Sequence, residues 1–194
     1  VAILGAGLIG CEFANDLAAA DHAVTVLDPA AWPLATLLPQ AAGEALLAPL
    51  EKLGVTWRLG QAVTQVDHSE SGYRLTLGNG ETLSTDLVLS AVGLRPRIAL
   101  AKDAGLAVNR GIVADAFLRT GDQDIFALAD CAEIEEQTRP YVLPIMRAAR
   151  TLARTLAGTP TPVAFPPMPV VIKTPACPVA VQPVARDAQG RWEI

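Results

Sequence analysis

The sequence predicts an α/β fold built on a parallel sheet, and three observations predict it. A short apolar run, Val1 to Leu4, meets Gly5, Gly7 and Gly10 in G-x-G-x-x-G spacing and then turns helical. A second apolar run, Ala23 to Leu27, ends in an acid, Asp28, about 20 residues onward, where a carboxylate takes a ribose 2′-hydroxyl. Strand-like and helix-like stretches then alternate as far as residues 86–93, with one period-two segment among them. Together these describe a Rossmann-like dinucleotide-binding domain. In the glycine turn, Gly5 permits the tight exit from the strand, Gly7 lets a pyrophosphate approach the backbone, and Gly10 allows close helix–sheet packing. The N–H groups opening the helix, at Leu8 and Ile9, point at the phosphates. The competing reading is a glycine-rich turn without a ligand.

Taken in order, the first βαβ unit runs from Val1 to Leu27, its helix (Cys11 to Ala20) burying Phe13, Leu17 and Ala20 at i, i+4, i+7. Asp28-Pro29 closes the second strand, so a turn acid ahead of proline is the alternative role for Asp28. No Arg or Lys lies between Asp28 and Gln40, which favours NAD over NADP, whose 2′-phosphate is usually offered a cation. Thr36 to Leu53 reads as helical, with Leu37, Leu38, Ala41, Ala42, Ala45, Leu46, Leu50 and Leu53 on one side and Gly54 as terminator. Pro49 should break it into two. Val55 to Arg58 reads as a third parallel strand. Tyr73, Leu75 and Leu77 alternate with polar residues, Gly78-Asn79-Gly80 turns, and Glu81 to Thr85 returns, predicting an antiparallel hairpin. Asp86 to Gly93 reads as a buried strand stopping at a glycine, and the first domain is expected to end there.

Beyond it, Ile98 to Ala104 is a short helix, Asn109-Arg110-Gly111 a turn into Ile112-Val113, and Ile125 to Leu128 a second buried strand ending in Ala129-Asp130. An acid at the carboxyl end of such a strand sits where α/β folds bind ligands, and the alternative is an acid capping a loop. Tyr141 to Ala157 is the clearest helix, with Val142, Ile145, Met146, Ala149, Leu152, Ala153 and Leu156 forming its apolar stripe and Pro144 in its first turn. Eight prolines between Pro160 and Pro183 mark a linker into two short strands, Val170 to Ile172 and Val179 to Val181.

The 194 residues are 51% hydrophobic and 18% charged with net charge −5, which describes a globular chain and argues against a nucleic-acid partner. No apolar run reaches the ~20 residues of a membrane span. Cys11, Cys131 and Cys177 stand apart, with no C-x-x-C pair, which suits a reducing cytoplasm and suggests neither a metal site nor a redox dithiol. The chain begins inside a strand without an initiator Met, so a truncated piece of a longer protein is expected.

GAGLIGCEFANDLA (Gly5 to Ala18), SAVGLRPR (Ser90 to Arg97), LAVNRGIV (Leu106 to Val113), IFALADCAE (Ile125 to Glu133), YVLPIMRAAR (Tyr141 to Arg150) and VIKTPACP (Val171 to Pro178) resemble, in this order, the FAD-dependent pyridine nucleotide-disulfide oxidoreductases. The likeness covers essentially the whole chain, and the last three segments carry more of it than the glycine motif. It implies an NAD-binding domain (1–93) inserted in an FAD-binding domain of which only the C-terminal part is present (94–158), then the start of a small α+β C-terminal domain (159–194). Matched position by position, Gly5 to Gly10 would hold the NADH pyrophosphate, Glu12 would face the nicotinamide and flavin, and Gly93 would pass beside the nicotinamide half. Asp130 would bond the ribityl and pyrophosphate side of FAD, Val142 would offer its N–H to the flavin pyrimidine edge, and Lys173 would contact the flavin. For Lys173 a plain surface lysine is the alternative.

The implied reaction is hydride transfer from NADH to the flavin, then single-electron transfers to rubredoxin or a similar small iron carrier, with no protein acid, base or nucleophile taking part. A ferredoxin reductase or NADH oxidase of the same family, or a non-catalytic NAD-binding module, are the alternatives. Arg147, Arg150 and Arg154 share one face of the long helix, opposite its apolar stripe, and either steer an acidic carrier or form an ordinary solvated face. Two departures stand out. Ala129 replaces the family's glycine before Asp130, and the family's first glycine motif, which holds the ADP half of FAD, is not among these residues.

Overall fold

The computed structural model describes residues 1–184, which divide into two compact units: 1–93 with the segment from Pro169 onward, and Leu94–Met168. The first unit opens with β1 (Ala2–Leu4), α1 (Leu8–Ala19) and β2 (Val24–Asp28). Two short helices, α2 (Gln40–Glu44) and α3 (Leu47–Lys52), lead to β3 (Val55–Leu59). An antiparallel sheet of β4 (Val63–Ser69), β5 (Gly72–Leu77) and β6 (Thr82–Thr85) follows, and β7 (Val88–Ser90) returns to the parallel sheet, whose order is β3-β2-β1-β7.

Period-two alternation along β1 and β2 builds three layers. Ile3 and Val26 point to one face, where they pack with Val24, Val55, Leu50 and the alanines Ala14 and Ala18 of α1. Ala2 and Leu27 point to the other and meet Leu75 and Leu77 of β5. The buried face of α1 is thus Gly10, Cys11, Ala14, Asn15 and Ala18; of the face expected from periodicity Leu17 packs half-buried on this core, whereas Phe13, 45% exposed, and Ala20 turn outward. The reason is proximity: a Cβ at Gly10 would overlap the carbonyl of Gly5, so α1 lies too near the strands for anything larger than small side chains.

Residues 36–53 do form two helices, but the break falls at Ala45-Leu46, ahead of Pro49. Pro49 then occupies the first turn of α3, where its missing N–H costs nothing. Leu38, Leu46 and Leu50 are buried, while Ala41, Ala45 and Leu53 of the expected face are exposed. The expected hairpin has a third strand, β4, which pairs with β5 across a register shift between Val63 and Gln65 and carries mostly exposed residues, so no apolar alternation announced it. The segment 86–93 yields only the three-residue β7 at the end of the sheet order, half-buried rather than buried.

The second unit contains α4 (Ala99–Asp103), β8 (Ile112–Ala114), a single 3-10 turn at Ala129–Cys131, β9 (Ala132–Ile134), which pairs in parallel with β8, and α5 (Val142–Leu156). Residues 125–128 are not a strand. Phe126 forms one antiparallel bridge with Arg119, flanked by Thr120 N–H to Ile125 O (2.9 Å) and Ala127 N–H to Leu118 O (2.9 Å). The apolar run is real, but the turn at 121–124 folds it back on 118–120 for only two bonds.

α5 packs through Pro144, Ala148, Leu152 and Thr155 against a core of Ala132, Ile134 and Val163. Of its expected stripe Leu152 is buried and Ile145 and Ala149 are half-buried, while Val142, Met146, Ala153 and Leu156 are exposed in this chain. The chain then re-enters the first unit with the two expected strands, β10 (Val170–Ile172) and β11 (Val179–Val181), which pair antiparallel with each other as a hairpin.

Candidate functional site

In the first unit the glycine turn joins β1 to α1 at the carboxyl end of the parallel strands, the position at which open α/β sheets receive ligands. Gly5 has φ +107° and a Cβ there would run into the Ala91 carbonyl, so both conformation and space demand glycine. Gly7 differs: its φ is −76° and a Cβ would meet nothing within 4 Å. The fold has no use for a glycine at this position, whereas a ligand lying against the backbone would. No side chain caps α1, leaving the first-turn N–H groups of Leu8, Ile9 and Gly10 without a capping acceptor and the positive end of a twelve-residue helix open to an anion.

Asp28, at the end of β2, accepts the Ala6 N–H on Oδ2 at 2.6 Å and the Ala30 N–H on Oδ1 at 2.7 Å. The turn role expected of Asp28 is seen here. The carboxylate braces the turn before Ala30, and it also fixes a negative charge against the glycine loop with lone pairs to spare. Ala91, whose backbone limits Gly5, brings the stretch leading to Gly93 beside the same loop, and Gly93 itself is exposed at φ +97°.

One turn further along α1, Glu12 Oε1 accepts the backbone N–H of Lys173 at 2.8 Å, and Asn15 Oδ1 accepts that of Ala176 at 3.1 Å. The structure therefore joins Glu12 and Lys173, with the lysine side chain left exposed. Asn15, 2% exposed, did not emerge from the sequence as a site residue. Its signal was available, since a polar amide on the small-residue face of a helix must find partners when buried. Thr174 completes the loop, its hydroxyl donating to Cys177 O at 2.6 Å. Cys11, under the glycine loop, has its thiol pushed up to about 12 by burial and by the Asp28 and Glu12 charges, so it stays protonated and unreactive.

In the second unit Asp130 is exposed on the 3-10 turn. Ala129, immediately before it, is held at φ +71°, the left-handed conformation that glycine adopts freely and an L-residue rarely does. The turn packs against α5, and Ala129, Pro144 and Ile145 line one small cavity. α5 begins without a side-chain cap, and Val142, its first residue, is 74% exposed. An uncapped fifteen-residue helix and an exposed acid on the adjoining turn are donor and acceptor groups suited to a polar, partly anionic ligand.

A parallel sheet with a glycine loop at its first βα turn is the architecture of Rossmann-like proteins. Residues 1–151 match the pyridine nucleotide-disulphide oxidoreductase family, and residues 162–194 match the rubredoxin binding C-terminal domain. Over its whole length the chain is 52% identical to a rubredoxin-NAD(+) reductase of Alcanivorax borkumensis and 50% identical to one of Acinetobacter baylyi, covering 51% and 50% of those proteins. The chain thus spans about half the length of the curated relatives it matches. A solved FAD-dependent pyridine nucleotide-disulphide oxidoreductase from Desulfovibrio vulgaris is similar with TM-score 0.82 and 29% identity over 89% of this chain and 46% of that one. The chain belongs to the pyridine nucleotide-disulphide oxidoreductase family.

Proposed function

We propose that this chain supplies the NADH-binding unit and part of the flavin-binding unit of a reductase whose electron acceptor is rubredoxin or a similar small iron carrier. The observation that carries the reading is the uncapped first turn of α1 beside a Gly7 that the fold itself does not require. Gly5, Gly7, Leu8, Ile9 and Gly10 would bind the NADH pyrophosphate through backbone N–H groups, with Gly93 beside the nicotinamide half and Glu12 toward the place where nicotinamide and flavin meet. Asp130, the Val142 N–H and Lys173 would hold FAD. The chemistry FAD supplies when bound is acceptance of a hydride and release of its electrons singly. The protein's part is orientation, and the positive end of α5 favours negative charge placed before it. The acceptor is supported by the rubredoxin reductases among the relatives and by the match over residues 162–194. A cytoplasmic location suits three separate free thiols, and among the described residues no helix is long and apolar enough to cross a membrane.

The test is spectroscopic. The protein as encoded by its gene, loaded with FAD, should bleach oxidised rubredoxin with NADH; failure to do so while a small dye is reduced would remove rubredoxin as acceptor and leave the NADH reading standing. Asp28 sets the nucleotide preference in this reading, because its fixed charge accepts a ribose hydroxyl and repels a 2′-phosphate. NADH should therefore bind more tightly than NADPH, and Asp28→Ala should remove the difference, at roughly 1 to 3 kcal/mol for a hydrogen bond to a charged group. Equal or tighter binding of NADPH by the unaltered protein would contradict this.

A further inference from the structure

Ala6, 2% exposed, is held through both of its peptide groups. Its N–H donates to Asp28 Oδ2 at 2.6 Å. Its carbonyl accepts twice, from the Leu34 N–H at 2.8 Å and from the Cys11 thiol at 3.4 Å. Both donors belong to buried residues of the first unit. Leu34 makes its bond from φ +57°, a left-handed conformation that an L-residue rarely takes, and its own carbonyl is tied to the N–H groups of Leu37 and Leu38 at 2.8 and 2.9 Å. The carbonyl of Ala6 and the N–H of Gly7 belong to one planar trans peptide, so they point in opposite directions. With the carbonyl turned toward Cys11 and Leu34, the Gly7 N–H faces the other way, and among the described residues it has no acceptor. Space is open around Gly7, where a Cβ would meet nothing within 4 Å.

A glycine on one side leaves this peptide free to turn over. Flipping it rotates ψ of Ala6 and φ of Gly7 together by about 180°, which would carry Gly7 from φ −76° to a positive value that glycine accepts and most residues do not. The flipped peptide would present a carbonyl oxygen where the N–H had been, and that oxygen repels a phosphate. We propose that Cys11 and Leu34 are positioning residues for nucleotide binding, gripping the Ala6 carbonyl so that the Gly7 N–H stays aimed at the pyrophosphate. The proposal rests on the reading of this loop as the NADH pyrophosphate site and adds to it two groups, both outside the glycine motif, that orient its donor. The Cys11 thiol acts here as a donor, and burial keeps its proton in place. Leu34 acts through its backbone, so Cys11 is the member that a substitution reaches.

The measurement is binding of ADP-ribose, which carries the pyrophosphate, and of adenosine, which does not, to the protein as encoded by its gene and to its Cys11→Ala, Cys11→Val and Cys11→Ser variants. NMR titration follows weak as well as tight binding. Cys11→Val keeps the bulk should the smaller alanine loosen the helix, and Cys11→Ser restores a donor. The expected result is a dissociation constant for ADP-ribose raised roughly three- to tenfold by Cys11→Ala and Cys11→Val, the scale of one neutral hydrogen bond, and returned close to wild type by Cys11→Ser. Adenosine should bind all four proteins alike. ADP-ribose binding that is unchanged in Cys11→Ala and Cys11→Val would overturn the role of the thiol and leave the pyrophosphate site standing. Equal weakening by Cys11→Ser, or a parallel loss of adenosine, would reduce the effect to disturbed packing and overturn the proposal as well. Failure of the wild type to bind ADP-ribose would overturn the NADH reading and this proposal together.

Discussion

Ala129 shows how a single methyl group bears on the turn ahead of Asp130. An L-residue in the left-handed region carries a steric cost of about 1 to 2 kcal/mol, which glycine avoids at the expense of a more flexible unfolded chain. The two effects leave Ala129→Gly with a net gain of up to about 1 kcal/mol, a rise of roughly 2 to 4 °C in midpoint for a chain this size. Thermal melts of the two proteins check it, and an unchanged or lower midpoint would mean the backbone relaxes around the alanine. At this scale the sequence was informative where backbone conformation decides and uninformative where a side chain's partner decides. Gly5 and Gly10 could be assigned tasks from spacing alone, because the glycine turn is local. That Glu12 and Asn15 hold Lys173 and Ala176 could not, because nothing in a helix names the distant loop that will supply its donors.

Elements with one dominant local signal appeared as expected: β1, β2 and β3, the paired β5 and β6, and the strands β10 and β11. Those whose faces are chosen by a neighbour did not. α1 and α5 are helices as their periodicity predicts, yet α1 buries a face of small residues because it lies close to the strands, and α5 buries Pro144, Ala148, Leu152 and Thr155 rather than the whole expected stripe. The run 125–128 had strand composition but found only two bonds with 118–120. The contact of α1 with the loop after β10 permits a direct test. Asn15→Ala leaves the Ala176 N–H without its acceptor, at about 1 to 3 kcal/mol for a buried donor. Amide exchange at residues 174–177 should accelerate well beyond that in β2, and equal exchange would mean that packing of Ala176 and Cys177 on the core holds the loop without the hydrogen bond.

For the molecule as a whole, composition had already indicated a globular chain, the alternation of strand-like and helix-like stretches an α/β fold, and the order of its motifs the family. What they left open was how far the units depend on segments distant in sequence. The first unit is discontinuous: its sheet is complete by residue 90, while its last hairpin comes from residues 170–181, after the whole of the second unit. Stability in such a unit resides partly in contacts that close the longest loops, and these contribute late in folding. Asn15→Ala should therefore speed unfolding while leaving the refolding rate nearly unchanged, as stopped-flow measurements in denaturant would show.

The 161 residues between Glu12 and Lys173 also set an order of events during synthesis. At roughly 5 to 20 residues per second, about ten to thirty seconds separate the emergence of α1 from that of the loop it will hold. Throughout that interval the Asn15 side chain, buried in the finished protein, lacks the Ala176 N–H, and a ribosome stalled anywhere in the second unit leaves it so. A nascent chain halted there lacks both hydrogen bonds that tie α1 to residues 173–176, so that face of the helix stays open until the last hairpin is made.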